Sequence, residues 1–289
     1  MNVLSLFDGI SCGQVALKRV GFKIDNYFAS EIDKYAIKVT QHNHPETIQL
    51  GDVTNWKEWD LPSIDLIIGG SPCQGFSFAG KQLNFEDPRS KLFFDFVDIV
   101  NHFKPKYFLL ENVVMKQEYQ DIITDYLGVK PIIINSSLVS AQNRKRIYWT
   151  NIENVNQPKD LSLTMNDILE QGRVAENLYY HVGADYTGKE TGHVANLHIK
   201  INESEKRVYS SNYKSPTLTT MQGGNRQPKV LIGDIHGSHI MRRLTPLECE
   251  RLQTLPDNYT NIVSNSQRYK GLGNGWTVAV IEHIFKNMD

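Results

Sequence analysis

The sequence predicts an α/β protein: a doubly wound, mostly parallel sheet, with a small, irregular, β-rich domain inserted late in the chain. Three observations carry that expectation. Residues 1–155 alternate short apolar runs with helical patterns, as expected of a parallel sheet covered by helices on both faces. From about Asn151 polar residues, Gly, Asn and Tyr dominate, and helical periodicity is sparse over residues 179–235. Helical patterns then resume after Leu244. The expected division is 1–155, an insert over 156–240, and C-terminal helices over 241–289 that return to the first domain.

Taken in order, residues 3–7 form an apolar strand and 14–19, with Ala16 and Leu17, start a helix. Residues 24–29 read as a strand, 34–41 as a helix and 64–69 as a strand, with another strand ending at Gly51-Asp52-Val53. An amphipathic helix over 92–103 leads to a strand at 107–110, and 130–134 leads into a later one. Thr245 as N-cap, Pro246 at the first helical position and Glu248 three residues after the cap start a helix after Leu244. Residues 276–285 make a last apolar helix, so two helices are expected after the insert.

A chain of 289 residues can bury a large core, and its net charge of −1 gives no global attraction to a polyanion. Nucleic-acid contact would therefore come from local clusters: Arg144-Lys145-Arg146, Lys206-Arg207 and Arg242-Arg243, although such pairs are most often solvated surface. The apolar runs fall far short of the roughly 20 residues a bilayer needs, so no membrane partner is expected. The N-terminus has no basic leader and reads as a first strand, so a reducing, cytoplasmic setting is expected, and a monomer. Cys12, Cys73 and Cys249 are too few and too dispersed for a disulfide framework or zinc cluster. The histidines lack metal spacing; His236 and His239 read as loop residues, and no metal is expected.

The turn Phe7-Asp8-Gly9-Ile10-Ser11-Cys12-Gly13 joins a strand to a helix, with glycines where a backbone turns tightly near a ligand. It is not a full GxGxxG. Glu31 stands just past the next strand, where a carboxylate can accept hydrogen bonds from ribose hydroxyls, and Asp52 ends a further strand, where it could accept from an adenine amine. Singly these are ordinary turn glycines and surface acids; together they suit a nucleoside-bearing cofactor. The sharper signal is Gly69-Gly70-Ser71-Pro72-Cys73-Gln74-Gly75-Phe76-Ser77, directly after an apolar strand, which would put Cys73 at the mouth of a site. A thiol of ordinary pKa is only about 3% thiolate at neutral pH, so a nucleophile there needs positive charge or N–H donors nearby. Glu111 follows another strand, and Arg144 and Arg146, two apart in an extended segment, would share one side.

With these motifs in this order the sequence resembles the DNA (cytosine-5) methyltransferase family over nearly the whole chain. Phe7-Asp8-Gly9, Glu31 and Asp52-Val53 look like its cofactor motifs, Pro72-Cys73-Gln74 like its nucleophile loop, Glu111-Asn112-Val113 like its acid motif, and Gln142-x-Arg144-x-Arg146 like its arginine motif. Arg243-Leu244-Thr245-Pro246-x-Glu248 and Gly273-Asn274-Gly275-Trp276 resemble its last two. The first loop departs from the glycine-richer bacterial form and, with Trp276, is closer to the subgroup that includes animal de novo methyltransferases.

The resemblance implies a class I, Rossmann-like methyltransferase fold, with a catalytic domain over 1–155 and a target-recognition domain over 156–240. It implies S-adenosylmethionine as methyl donor, with S-adenosylhomocysteine as product, bound by Phe7, Asp8, Gly9, Ile10, Glu31, Ile32, Asp52, Val53, Pro72, Leu92, Asn274 and Trp276. Cys73 would add to carbon 6 of cytosine while Glu111 holds ring nitrogen 3 and the amino group; Arg146 would bind the carbonyl at position 2, with Arg144 in support. Because carbon 6 is unreachable inside a stacked duplex, the base must flip out of double-stranded DNA. The stretch 74–91, with Ser77, Gly80 and Lys81, is expected to close over DNA and to be open or disordered without it. Arg207, Arg226 and the Thr217-Leu218 pair are the other expected DNA contacts. Cys12 and Cys249 read as structural, with Glu248 and Glu250 raising the Cys249 pKa.

Rival readings are an RNA (transfer RNA) cytosine methyltransferase, whose characteristic Cys-Phe-Thr is absent, and a catalytically dead relative, which would have lost Cys73, Glu111 or an arginine. A nicotinamide-dependent dehydrogenase would share the first loop and Glu31 but leaves the other motifs unexplained. A cognate restriction endonuclease, a phage genome and an orphan regulator all fit as biological setting.

Overall fold

The computed structural model describes residues 1–71, 88–189, 192–221, 225–232 and 240–289. The chain divides into two compact units, one of Met1–Ile134, Lys145–Gln157 and Val280–Asp289, the other of Asn135–Arg144 and Pro158–Ala279.

The first unit runs β1 (Asn2–Leu6), α1 (Cys12–Val20), β2 (Asn26–Ser30), α2 (Lys34–Asn43), β3 (Ile48–Gln49), β4 (Leu66–Gly69), α3 (Pro88–Phe103), β5 (Tyr107–Val113), α4 (Gln117–Leu127), β6 (Ile132–Asn135) and β7 (Lys145–Thr150). Its seven strands lie in the order β3-β2-β1-β4-β5-β7-β6. β3, β2, β1, β4 and β5 pair in parallel, and β7 is antiparallel to β5. This is the mostly parallel, doubly wound sheet that the sequence predicts. Leu4, Leu6, Leu66, Ile67 and Ile68 are fully buried, as central strands covered on both faces require.

Register places the site. Leu6 is level with Ser30 on one side and Gly69 on the other, and Gly69 is level with Leu110. The residues that follow, Phe7 to Gly9, Glu31, Gly70-Ser71 and Glu111, therefore leave one carboxyl edge. The chain winds outward from β1 to β3 and then returns to β4 on β1's other side, so this edge contains a topological switch point, where open α/β sheets bind ligands.

The second unit carries β8 (Ala184–Tyr186), β9 (His193–Leu197), α5 (Glu203–Lys206), β10 (Arg207–Ser210), β11 (Lys229–Ile232), β12 (Ile240–Arg243), α6 (Pro246–Leu252) and α7 (Asn265–Asn274). α8 (Val278–Phe285) begins there and ends in the first unit. A five-stranded sheet in the order β12-β11-β10-β9-β8 buries Val194, Leu197, Val208 and Leu231. α6 opens on the expected box: Thr245 Oγ1 accepts from Glu248 N at 3.1 Å and a Glu248 carboxylate oxygen accepts from Thr245 N at 2.8 Å.

Two expectations need correction. Three helices, not two, follow Leu244 among the described residues. α7 has the polar, glycine-bearing sequence NSQRYKGLGN, and tertiary contacts hold it: Tyr269 donates to Leu244 O at 2.7 Å and Arg268 pairs with Glu250 at 2.9 Å. Nor is Arg242 solvated surface. It is 1% exposed and makes a two-pronged ion pair with Glu248 at 2.6 and 2.7 Å.

Candidate active site

At the end of β1 the backbone turns through three residues of positive φ: Phe7 at 58°, Gly9 at 60° and Ser11 at 57°. Only Gly9 adopts this region without a Cβ penalty, so strain at Phe7 and Ser11 is held by their surroundings. Part of the restraint is Glu31. Its Oε2 accepts from Gly9 N and its Oε1 from Ile32 N and Asp33 N, each at 2.8 Å. Asp33 in turn caps α2 through Tyr35 N and Ala36 N, fixing the chain that carries Glu31. Each carboxylate oxygen offers about two acceptor sites, so Glu31 Oε2 keeps capacity for a ligand hydroxyl. Ile32 beside it is 73% exposed, an apolar side chain left open at the sheet edge.

Asp8 lies under the same turn. It accepts from Tyr27 Oη at 2.9 Å and from Ser11 Oγ, and burial pushes its carboxyl up to about 6 despite those donors. A carboxyl whose folded pKa is raised contributes stability below its unfolded pKa, and loses it as pH rises toward about 6. Asp8→Asn is expected to flatten the fall in stability between about pH 4 and 6, by on the order of 3 kcal/mol at most. Urea denaturation of both proteins across that range checks it; parallel pH profiles would refute the assignment.

Asp52 accepts from Thr54 N and Thr54 Oγ1 at 2.9 Å, capping a 3-10 turn over Val53–Glu58, and stays exposed, while Val53 is buried. Asp95, one helical turn after half-buried Leu92 on α3, was not singled out from sequence. The residue is 8% exposed, its Oδ2 finds no partner among the described residues, and burial shifts the carboxyl up, with Trp56 donating to it. An acid within the apolar stripe of an amphipathic helix was the readable signal.

Across the sheet, Glu111 on β5 meets Arg146 on β7. Val113 is level with Arg146 and Glu111 with Tyr148, so the two charged residues are diagonal neighbours on one face. Arg146 Nε lies 2.9 Å from Glu111 Oε1, and both side chains are nearly buried, at 13% and 11% exposure. Asn112 points the other way in the alternation and donates Nδ2 to Ser71 O and Oγ at 3.3 and 3.4 Å, holding the chain that leaves β4. That role of Asn112 was not read from sequence. Pro72, Cys73, Ser77, Gly80 and Lys81, like His236 and His239, lie outside the described residues.

In the second unit, Arg144 is 3% exposed, and its guanidinium donates to Leu218 O at 3.0 Å, Gly273 O at 3.1 Å and Gly275 O at 2.9 Å. The structure thus brings Arg144 to Leu218 and to the segment around Asn274, and Arg146 to Glu111. Leu218 is 1% exposed; Thr217 donates its hydroxyl to Asn143 O. Asn274 is exposed and Trp276 half-buried. Ile10 is buried. Arg207 is exposed, and Arg226 makes a half-exposed pair with Glu205 at 3.2 Å. Cys12 and Cys249 are buried; burial first, then Glu248 and Glu250, pushes the Cys249 thiol up. Among the described residues no His, Cys, Asp and Glu group could hold a metal, and no helix is long and apolar enough to cross a membrane.

The sequence model of the C-5 cytosine-specific DNA methylase family matches residues 1–289. The orphan methyltransferase M.SPRI of Bacillus phage SPR is 28% identical over 429 residues, spanning 100% of this chain and 97% of the relative. The type II methyltransferase M1.ScrFI of Lactococcus lactis subsp. cremoris is 30% identical over 319 residues, spanning 99% of this chain and 77% of the relative. In fold, the S. pombe Dnmt2 methyltransferase superposes with a TM-score of 0.75 at 18% identity, over 99% of this chain and 97% of that one. The match along the whole length shows that this chain belongs to the C-5 cytosine-specific DNA methylase family and is a DNA cytosine methyltransferase.

Proposed function

We propose that this enzyme methylates carbon 5 of a flipped-out cytosine in double-stranded DNA through a covalent bond between Cys73 and carbon 6, with S-adenosylmethionine as donor. The observation that carries the reading is the nearly buried Glu111–Arg146 pair at the carboxyl edge where β4 ends, Gly69 being level with Leu110. The residues present suit the cofactor: Glu31 retains acceptor capacity for ribose hydroxyls, Ile32 offers open apolar surface for a base, and Asp52 is exposed for an amine. Phe7, Asp8, Gly9, Ile10, Val53, Leu92, Asn274 and Trp276 complete the assigned set. When bound, the cofactor supplies an electrophilic methyl on a sulfonium.

Carbon 5 of cytosine is a weak nucleophile. Addition of the Cys73 thiolate to carbon 6 converts the ring to an enamine that is a strong one. Glu111, protonated or hydrogen-bonded at ring nitrogen 3, relieves the charge that develops there, and Arg146, already oriented by Glu111, holds the position 2 carbonyl. Once carbon 5 carries the methyl group, loss of the proton at carbon 5 expels the Cys73 thiolate from carbon 6 and restores the aromatic ring. The segment 156–240 is the target-recognition region and 241–289 its return to the catalytic domain over 1–155. Ser77, Lys81, Arg207 and Arg226 serve as DNA contacts; the half-exposed Arg226–Glu205 pair is weak enough for a phosphate to compete. The enzyme acts as an intracellular monomer, and a restriction partner fits its chemistry.

The test is bisulfite sequencing of DNA from a host expressing the enzyme, with Cys73→Ala as control. Methylation at one short sequence is expected, absent in the control. A 5-fluorocytosine oligonucleotide at that site, given the methyl donor, should be trapped on Cys73; methylation without trapping would sink the covalent mechanism.

A further inference from the structure

We infer that Arg144, with Gln142 and Gln253, forms a buried clasp that sets the position of Leu218 and of the turn 273–275, which makes Arg144 a positioning residue rather than one that touches the pyrimidine. The inference rests on the proposed roles of Asn274 and Trp276 toward the cofactor and of the segment 156–240, which holds Thr217 and Leu218, toward DNA.

Gln142 and Gln253 are fully buried, and the hydrogen-bonding groups in question account for one another. Gln142 Oε1 accepts from Leu218 N at 2.9 Å, while its Nε2 donates to Leu252 O and Gln253 Oε1, both at 3.1 Å. Leu218 is thus gripped at both backbone poles, by Gln142 at its N–H and by Arg144 at its carbonyl. Gln253 Nε2 donates to Leu272 O at 2.6 Å and Gly275 O at 3.0 Å, and its Oε1 accepts from Thr277 Oγ1 at 2.9 Å. The last carbonyls of a helix have no partners within it, and α7 ends at Asn274. Leu272 O and Gly273 O are therefore satisfied from outside by Gln253 and Arg144, and a cation is the favoured charge at that end.

Packing makes the arrangement tight. A Cβ on Gly273 would fall 2.0 Å from Thr219 O and 2.3 Å from Thr219 C, so the helix end and the segment after Leu218 touch backbone to backbone. The planar guanidinium reaches three carbonyls on two segments at once, which a lysine ammonium on a single point cannot do.

The experiment compares wild type, Arg144→Lys, Thr277→Val and Arg146→Lys, measuring S-adenosylhomocysteine affinity by calorimetry, DNA affinity, and methylation kinetics. Arg144→Lys should weaken S-adenosylhomocysteine and DNA binding together, by about 10-fold each, with KM rising more than kcat falls. Thr277→Val, which removes one hydroxyl from the clasp's rim, should move both affinities the same way by about 3-fold and remains informative if Arg144→Lys does not fold. Arg146→Lys should instead lower kcat with affinities little changed. Unchanged affinities in Arg144→Lys or, failing that, in Thr277→Val, or a fall in kcat alone, would overturn the clasp; a wild-type enzyme that binds no S-adenosylhomocysteine would overturn the cofactor assignment beneath it.

Discussion

Glu111→Gln should slow single-turnover methylation by about 10²- to 10⁴-fold, the range spanned by a positioned acid or base. Two losses coincide. An amide cannot give up a proton to ring nitrogen 3, and it removes the counter-charge that orients Arg146 from 2.9 Å. The substitution is nearly isosteric, but the pair is nearly buried, so Arg146 without its counter-charge also costs stability, and urea denaturation separates that loss from the loss of rate. Rapid-quench assays with saturating DNA and donor measure it, and a loss under about 10-fold would mean that the Glu111 carboxyl takes no part in the chemistry.

Glu248→Ala should destabilise the second unit by about 3–5 kcal/mol, the cost of leaving a buried charge uncompensated. Arg242 is 1% exposed and Glu248 fully buried, and Glu248 also accepts from Thr245 N at 2.8 Å and Glu170 N at 2.9 Å. Removing the carboxylate strands a guanidinium and two backbone donors together. Replacing both partners, Arg242→Met with Glu248→Met, should recover part of the loss, because no charge remains to be desolvated, while the two N–H groups still lack an acceptor. Urea denaturation of the single and double variants decides it. A double variant worse than Glu248→Ala would show that the pair's geometry, rather than the stranded charge, dominates.

Elements with strong local signals were legible. β1, β4 and β5 are short apolar runs, and α6 announces itself through Thr245, Pro246 and Glu248. α7 was not legible, because a segment with two glycines and little periodicity is helical only by virtue of Tyr269, Arg268 and the partners they find far along the chain. At the site, residue identities stood out while their partners did not. Glu111, Arg144 and Arg146 are visible in a string of letters; that Arg146 turns to Glu111 and Arg144 to three carbonyls depends on which strand and which helix end lie opposite. The Glu111-Asn112-Val113 motif does not reveal that Asn112 holds Ser71, and nothing around Gln253 reveals that it holds the end of α7.

The order of motifs, the parallel sheet and the chemistry expected of a thiol, an acid and two arginines follow from local patterns, because periodicity, capping and turn residues act over a few positions. The division of labour between Arg144 and Arg146 and the strained turn under Glu31 come from residues tens to more than a hundred positions apart. Hydrogen-bond partners at that separation are selected by packing, and packing exists only once the whole chain has folded.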